Sequence, residues 1–220
     1  MTSASRPLHV HRLGRVDYAA ARALQLALVE RRADDRIADT LLLLEHDDVV
    51  TVGRGADREA ASAVPYPVVE VERGGEATWH GPGQIVGYVI VKLDGPERDL
   101  HRVLRAVEEG VIETLRGLGV SPSRNPPHTG VWIGAKKVCS VGIAVRRWVT
   151  YHGFALNVRT DLAAYRTFKP CGLDAAVMDS LHRMVPNLPA THAVETMLAT
   201  HLARAFSREA VFRENTDLEA

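Results

Sequence analysis

The chain has 220 residues, of which 46% are hydrophobic, and its 27 lysines and arginines are balanced by 27 acidic residues. This length and apolar content suffice for one sizeable core, so we expect a single domain. Nucleic-acid binding is disfavoured because proteins that gather a polyanion do so with a net positive field.

The two cysteines and the apolar runs bear on the compartment. Cys139 and Cys171 have the spacing of neither a disulfide framework nor a C-x-x-C metal pair, which favours a reducing environment. The longest purely apolar run, 41–44, is too short to cross a bilayer, and residues 1–10 lack the apolar centre of a secretory signal. We therefore expect a cytoplasmic protein that does not associate with membranes.

The periodicity predicts strands and helices in a mixed order. Alternation at Leu8, Val10 and Arg12 indicates a first strand, and Asp17 can cap the helix that follows. A second helix is predicted from Asp99 to Gly119. The remaining predictions are strands over 40–45, 49–53, 67–72, 85–93, 130–134, 137–145 and 149–158, and a last helix over 194–205.

This order predicts an α+β fold in which mixed β-sheets are flanked by helices within one domain. We assign the catalytic domain to residues 1–208. The polar residues 209–220 are expected to form a mobile C-terminal tail.

The segment 73–84 is predicted to be a ligand-binding loop. It has four glycines in twelve residues, which let the backbone approach a ligand closely. Arg73, Thr78, His80 and Gln84 supply polar groups within it. The phosphate-binding pattern G-x-x-x-x-G-K-[ST] does not occur in the chain, so the sequence does not support ATP hydrolysis.

Cys171 is the favoured nucleophile of the two cysteines. It lies in a Lys-Pro-Cys-Gly-Leu turn before a short helix predicted from about Asp174, and a nearby cation with a helix start can stabilise a thiolate. Cys139 is the competitor, because alternation would place it on the same strand face as Lys137. Its apolar neighbours, however, favour packing in the core.

Lys136 and Lys137 must point to opposite faces of their strand, so at most one can face a site. The ten histidines show neither an H-E-x-x-H motif nor a pairing with cysteine at zinc-ligand spacing. No metal or other cofactor is predicted.

Four segments between residues 50 and 173 resemble one known family, the octanoyl transferases of lipoate synthesis, also called lipoyl(octanoyl) transferases. The first is the loop pattern R-G-G-x-x-T-x-H-G-P-G-Q from Arg73 to Gln84. The others are K-V-C-S-V-G-I over 137–143, G-F-A-L-N over 153–157 and P-C-G-L over 170–173.

The resemblance implies the fold that is shared by lipoate-protein and biotin-protein ligases. It also implies Cys171 as the acyl-thioester nucleophile, Lys137 as its catalytic partner, and no cofactor. The acyl pocket that it implies comprises Arg73, Gly74, Gly75, Glu76, Ala77, Thr78, Trp79, His80, Ser140, Val141, Gly142, Gly153, Phe154 and Ala155.

The implied reaction moves an octanoyl or lipoyl group from acyl carrier protein to a lysine of lipoyl domains, as the first step of endogenous protein lipoylation. The implied acceptors are the lipoyl domains of 2-oxoacid dehydrogenase complexes and the glycine cleavage H protein. Such partners are acidic, so we expect Arg146, Arg147, Arg159 and Arg166 near the mouth of the site. The alternatives are an ATP-dependent lipoate- or biotin-protein ligase and a non-catalytic module that binds acylated carrier.

Overall fold

The computed structural model describes residues 6–56, 64–167 and 173–218. The strands in these ranges are β1 (Arg6–Arg15), β2 (Asp39–Glu45), β3 (Val49–Val52), β4 (Val68–Glu70), β5 (Ala77–His80), β6 (Gln84–Ile90), β7 (Pro122–Asn125), β8 (His128–Ile133), β9 (Lys136–Arg146), β10 (Val149–Asn157) and β11 (Arg208–Phe212). The α-helices are α1 (Tyr18–Ala33), α2 (Leu100–Gly117) and α3 (Thr191–Ala205).

Two sheets organise the chain. The large sheet has the order β11-β1-β2-β6-β10-β9-β8-β7, with β1 parallel to both neighbours and the other pairs antiparallel. The small sheet has the order β4-β3-β5. Helices α2 and α3 pack on one face of the large sheet and α1 on the other, which confirms the predicted α+β architecture.

The predicted helices form where the capping residues indicate. The Asp17 carboxylate accepts a hydrogen bond from the Ala20 N–H at 2.9 Å, and Asp99 accepts from the first N–H groups of α2. Gly119 adopts a φ of +80° just beyond α2, a conformation that glycine permits at a helix end. The apolar stripe of α2 begins at Val103 rather than at Leu100, which is exposed.

Three short strands were not predicted. Strand β5 lies inside the segment expected to be a loop and pairs antiparallel with β3. Strand β7 forms one edge of the large sheet, and β11 forms the other by pairing with β1. The boundary at residue 208 therefore falls within a strand, and the predicted tail begins as part of the sheet. No helix of the described ranges is long and apolar enough to cross a membrane.

Candidate active site

A cavity of about 200 Å³ lies between the two sheets, where the start of α1 meets them. Its walls come from β5 in the small sheet and from β6, β9 and β10 in the large sheet. The lining residues are Tyr18, Arg73, Gly75, Glu76, Thr78, His80, Val86, Tyr88, Pro127, His128, Thr129, Lys137, Ser140, Val141, Gly142, His152, Gly153, Phe154 and Ala155.

Strand register gives the cavity a direction. Ser140 pairs with Ala155, and Ala155 pairs with Val86, which forms one row across the sheet. Gly142, Gly153 and Tyr88 form the next row, about 7 Å further along the strands. Beyond it, Ala144 and Tyr151 pair and belong to the core beneath α1. The cavity thus runs along the strands from Lys137 towards Tyr88.

Most of the predicted pocket residues line this cavity. Three of them do not, namely Gly74, Ala77 and Trp79. Ala77 and Trp79 alternate with Thr78 and His80 along β5, so they face the opposite side and pack in a separate small core. Gly74 instead donates its N–H to the Ile143 carbonyl at 3.3 Å, which ties the segment to β9.

Arg73 braces the small sheet from inside the cavity wall. Its Nη2 donates to the Thr51 carbonyl at 3.0 Å and to the Thr51 hydroxyl at 2.9 Å. Its Nη1 donates to the Glu76 carbonyl at 2.8 Å. The glycine pair in this segment allows the chain to curl around the guanidinium, with Gly75 at a φ of +81°.

His80 is held as a neutral ring. Its Nδ1 donates to the Gln84 amide oxygen at 2.8 Å, since the Gln84 amide nitrogen is directed to Asn157 Oδ1 at 3.0 Å. Its Nε2 therefore carries a lone pair, which lies 3.3 Å from the Thr51 hydroxyl. Burial lowers the pKa of His80 to about 3. His80 therefore shapes the cavity as a neutral ring whose N–H is bound to Gln84.

Tyr88 forms the inner wall together with a second buried histidine. His46 Nδ1 donates to the Val16 carbonyl at 2.7 Å, so His46 Nε2 accepts the hydrogen bond from the Tyr88 hydroxyl at 2.7 Å. Burial raises the pKa of Tyr88 and lowers that of His46. Both groups are therefore neutral, and they suit the end of an uncharged ligand.

His152 joins the wall because the backbone of β10 departs from regular geometry. Its φ is +59°, a left-handed value that is uncommon outside glycine and that clusters at functional sites. The buried Gln25 side chain fixes this turn by accepting the His152 N–H at 2.8 Å. Burial lowers the pKa of His152 to about 4, and its Nε2 lies 3.8 Å from Glu72 Oε2.

Lys137 and Cys139 separate, contrary to the alternation expected. Strand β8 pairs Val131 with Cys139 but Trp132 with Lys137, so Val138 is an extra residue in β9. This bulge places Lys137 at the cavity and Cys139 in the core beneath α2. Burial raises the pKa of the Cys139 thiol, which suits packing rather than attack.

The two lysines also divide as predicted. Lys137 is buried at the cavity, whereas Lys136 points away and donates from Nζ to the Ala176 carbonyl at 2.6 Å. Lys137 contacts the following part of the chain through its backbone, since its carbonyl accepts the Asp179 N–H at 3.0 Å. It also forms a parallel bridge with Met178.

The predicted nucleophile, Cys171, lies outside the described residues. The chain on either side of it is anchored at the site. Before it, the buried Tyr165 hydroxyl accepts from Gln84 Nε2 at 3.1 Å. After it, Asp174 caps a short 3₁₀ turn (Ala175–Val177) that leads to the bridge with Lys137. The predicted short helix is confirmed as this turn.

Sequence reasoning did not assign the remaining lining residues to the pocket. They are Tyr18, Val86, Tyr88, Pro127, His128, Thr129 and His152. His152 directly precedes a recognised segment, and a histidine before a glycine in a strand was the available signal. No three metal-binding side chains converge anywhere in the described ranges.

Comparison with known proteins gives a consistent result. Residues 17–203 match the family model of the lipoyl protein ligase A/B catalytic domain. An octanoyltransferase of Geobacter metallireducens is 47% identical over 169 residues, which are 77% of this chain and 79% of the relative. An octanoyltransferase of Syntrophobacter fumaroxidans is 41% identical over 215 residues, which are 94% of each chain.

Solved structures extend the likeness of the fold. A bipartite lipoate protein ligase of Thermoplasma acidophilum has a TM-score of 0.73 at 19% identity, covering 97% of this chain and 89% of its own. A biotin protein ligase of Aquifex aeolicus has a TM-score of 0.53 at 14% identity, covering 90% and 70%. These two structures show the same fold at low sequence identity.

Proposed function

The chain belongs to the lipoyl protein ligase A/B catalytic domain family, and we propose that it is an octanoyltransferase that carries the acyl group on Cys171. The donor in this proposal is octanoyl acyl carrier protein, and the acceptor is a lysine of a lipoyl domain. Such domains occur in 2-oxoacid dehydrogenase complexes and in the glycine cleavage H protein.

The observation that carries the proposal is the position of Lys137. This buried lysine stands at one end of the cavity, and its backbone bonds to the chain that follows the Cys171 segment. The other end is made of neutral rings. An extended eight-carbon acyl chain is about 9 Å long. The two rows of residues that line the cavity lie about 7 Å apart along the strands, so a chain of this length can lie across both rows.

The first half-reaction transfers the acyl group to the enzyme. The Cys171 thiolate attacks the carbonyl carbon of the donor thioester, and the bond from that carbon to the carrier sulfur breaks. The Lys137 ammonium stabilises the thiolate beforehand and protonates the departing carrier thiolate. The products are an acyl-enzyme, a free carrier thiol and a neutral Lys137 amine.

The second half-reaction forms the amide. The neutral amine of the acceptor lysine attacks the enzyme thioester, the carbon–sulfur bond to Cys171 breaks, and Lys137 takes the proton that the amine loses. The enzyme returns to a thiolate and an ammonium. A thioester and an amine become an amide and a thiol, so no nucleotide is consumed.

Charge near the Cys171 segment supports an acidic protein partner. Arg159, Arg166 and Arg183 line a surface cavity of about 320 Å³ that adjoins this segment in sequence. Arg146 pairs with Glu30 of α1, and Arg147 pairs with Glu30 and with Asp34 just after that helix. Of the first group, Arg183 pairs with Asp179 at 3.5 Å. We therefore assign the docking role to Arg159 and Arg166 alone.

The test is the intact mass of the enzyme after incubation with octanoyl acyl carrier protein, with and without a lipoyl domain. The expected result is a gain of one octanoyl group, which Cys171→Ser prevents and which moves to the lipoyl domain when it is added. An ATP-dependent ligase would instead release pyrophosphate and form no acyl-enzyme. A binding module would acylate no acceptor, and either result would overturn the proposal.

A further inference from the structure

A buried carboxylate on the far side of the sheet has no part in the proposed chemistry. Glu108 lies on α2 with its side chain inaccessible to solvent. One oxygen, Oε1, accepts the Gly130 N–H at 2.9 Å. The other, Oε2, accepts from Arg105 at 2.7 Å and from Arg124 at 2.9 Å.

Gly130 connects this carboxylate to Lys137. Its φ is +125°, and a Cβ added to it would lie 2.8 Å from Lys137 Cε and 2.3 Å from the Cys139 carbonyl oxygen. The lysine stem thus rests directly on the Gly130 backbone. The bulge that brings Lys137 to the cavity begins at the next residue of β8, Val131.

Ion pairing alone does not account for this arrangement. Arg105 and Arg124 remain partly exposed, and pairing with them requires only Oε2. Burying a carboxylate is costly, and a buried ion pair adds little net stability. The bond from Oε1 to the Gly130 N–H, by contrast, holds the peptide against which the stem of Lys137 lies.

We infer that Glu108 is a positioning residue for Lys137, which it holds in place through the Gly130 backbone. The inference rests on the proposed role of Lys137 in proton transfer. The geometry requires a side chain at position 108 that is long enough to accept the hydrogen bond from the Gly130 N–H. The negative charge of Glu108 pairs with Arg105 and Arg124 and is secondary for catalysis.

Four side chains at position 108 separate the effect of side-chain length from the effect of charge. Glu and Gln are long, Asp and Asn are short, and each length is available charged and neutral. We expect E108Q to keep kcat within about threefold of wild type, and E108D and E108N to lose about 10²-fold, the cost of displacing a catalytic group by about an ångström. The Michaelis constant for the octanoyl donor should change by less than about threefold, because Glu108 does not line the cavity.

Two controls make the result specific. Glu109→Asp shortens the exposed neighbour that also pairs with Arg124 but does not contact Gly130, and it should leave kcat unchanged. In a Lys137→Ala background, shortening residue 108 should cause no further loss of kcat, as a double-mutant cycle can show. If the Asp variant does not fold, the neutral Gln and Asn pair still compares the two lengths.

The inference is overturned if kcat follows charge rather than length, or if the loss in E108N persists in the Lys137→Ala background. The proposed function fails differently, because then the wild-type enzyme itself would transfer no octanoyl group. An active wild type whose rate ignores the length of residue 108 would contradict the inference alone.

Discussion

Strands β9 and β10 have two faces with opposite compositions. The face beneath α2 and α3 carries residues such as Val138, Cys139, Ile143 and Leu156, which belong to the main core. The cavity face carries small or polar residues, namely Lys137, Ser140, Gly142, Gly153 and Ala155. The same pair of strands therefore stabilises the fold on one side and leaves room for a ligand on the other.

The two faces meet at two irregularities. The bulge at Val138 turns Lys137 away from the core, and the left-handed backbone at His152 turns that side chain into the cavity. Regular alternation would have placed Lys137 beside Cys139. The site therefore depends on departures from regular strand geometry. Substitutions on the cavity face should affect mainly activity, and substitutions on the core face should affect mainly stability.

The largest expected difference is between the two cysteines. Cys171→Ser should abolish octanoyl transfer and acyl-enzyme formation, since a hydroxyl is a far weaker nucleophile than a thiolate. Cys139→Ser should keep substantial activity and lose stability, because it places a hydroxyl in the core. Activity and thermal melting of both variants check this, and octanoyl label on Cys139 would reverse the assignment.

The next difference is between the adjacent lysines. Lys137→Arg should lower kcat by about 10²- to 10⁴-fold, because a guanidinium stays protonated and cannot accept the proton of the amine. Lys136→Arg should remain close to wild type, since its side chain does not line the cavity and donates to the Ala176 carbonyl. Steady-state kinetics on both variants decide the matter, and equal losses would remove Lys137 from the mechanism.

A smaller effect should distinguish chain-length preference from stability. Ala155→Leu adds bulk in the cavity row that Ala155 forms with Ser140 and Val86, and it should lower kcat/KM for octanoyl relative to butanoyl donors by about tenfold or more. Ile143→Val, on the core face, should cost about 0.5–1.5 kcal/mol of unfolding free energy and leave that ratio unchanged. Competition between the two donors and denaturant titration measure both quantities. A preference that shifts equally in both variants would mean that the faces are not independent.

The last prediction concerns the dependence of stability on pH. The folded-state pKa values of His80, about 3, and His152, about 4, lie below the ordinary value of 6.5. The unfolded chain therefore binds more protons between these limits, so stability is complete above about pH 6.5 and declines as the pH falls. Each histidine should contribute a slope of about 1.4 kcal/mol per pH unit between roughly pH 6 and 4.

Urea titrations at several pH values test this slope. His80→Asn should flatten it, whereas substitution of the exposed His192 should not. If the dependence of unfolding free energy on pH is the same in the His80 variant, folding does not lower the pKa of His80.

Sequence reasoning located the helices and the long strands because their periodicity and capping residues are local signals. It also found the segments around Arg73, Ser140 and Gly153, whose side chains or backbone line the cavity. It missed β5 because that strand is four residues long and lies among glycines. It also extended the pocket to Ala77 and Trp79, since a motif does not reveal which face of a strand its residues occupy.

The rest of the site depends on distant pairings. Tyr18 reaches the cavity from α1, and the hydroxyl of Tyr88 is held by His46, which follows β2. The bulge at Val138 is set by the register between β8 and β9, and the turn at His152 by Gln25. None of these relations has a period or a spacing that can be detected along the chain.

Strand β11 has a consequence for how the chain avoids associating with itself. It covers β1 along five consecutive residues, from Arg208 to Phe212, and Arg208 is buried against Asp39. Without it, the backbone N–H and C=O groups of β1 would form a long open edge, which readily pairs with strands of other molecules. Strand β11 is itself the edge of the sheet, but it has five residues where β1 has ten, so it shortens the open edge. Trimming the chain at residue 207 should therefore reduce solubility before it affects the cavity.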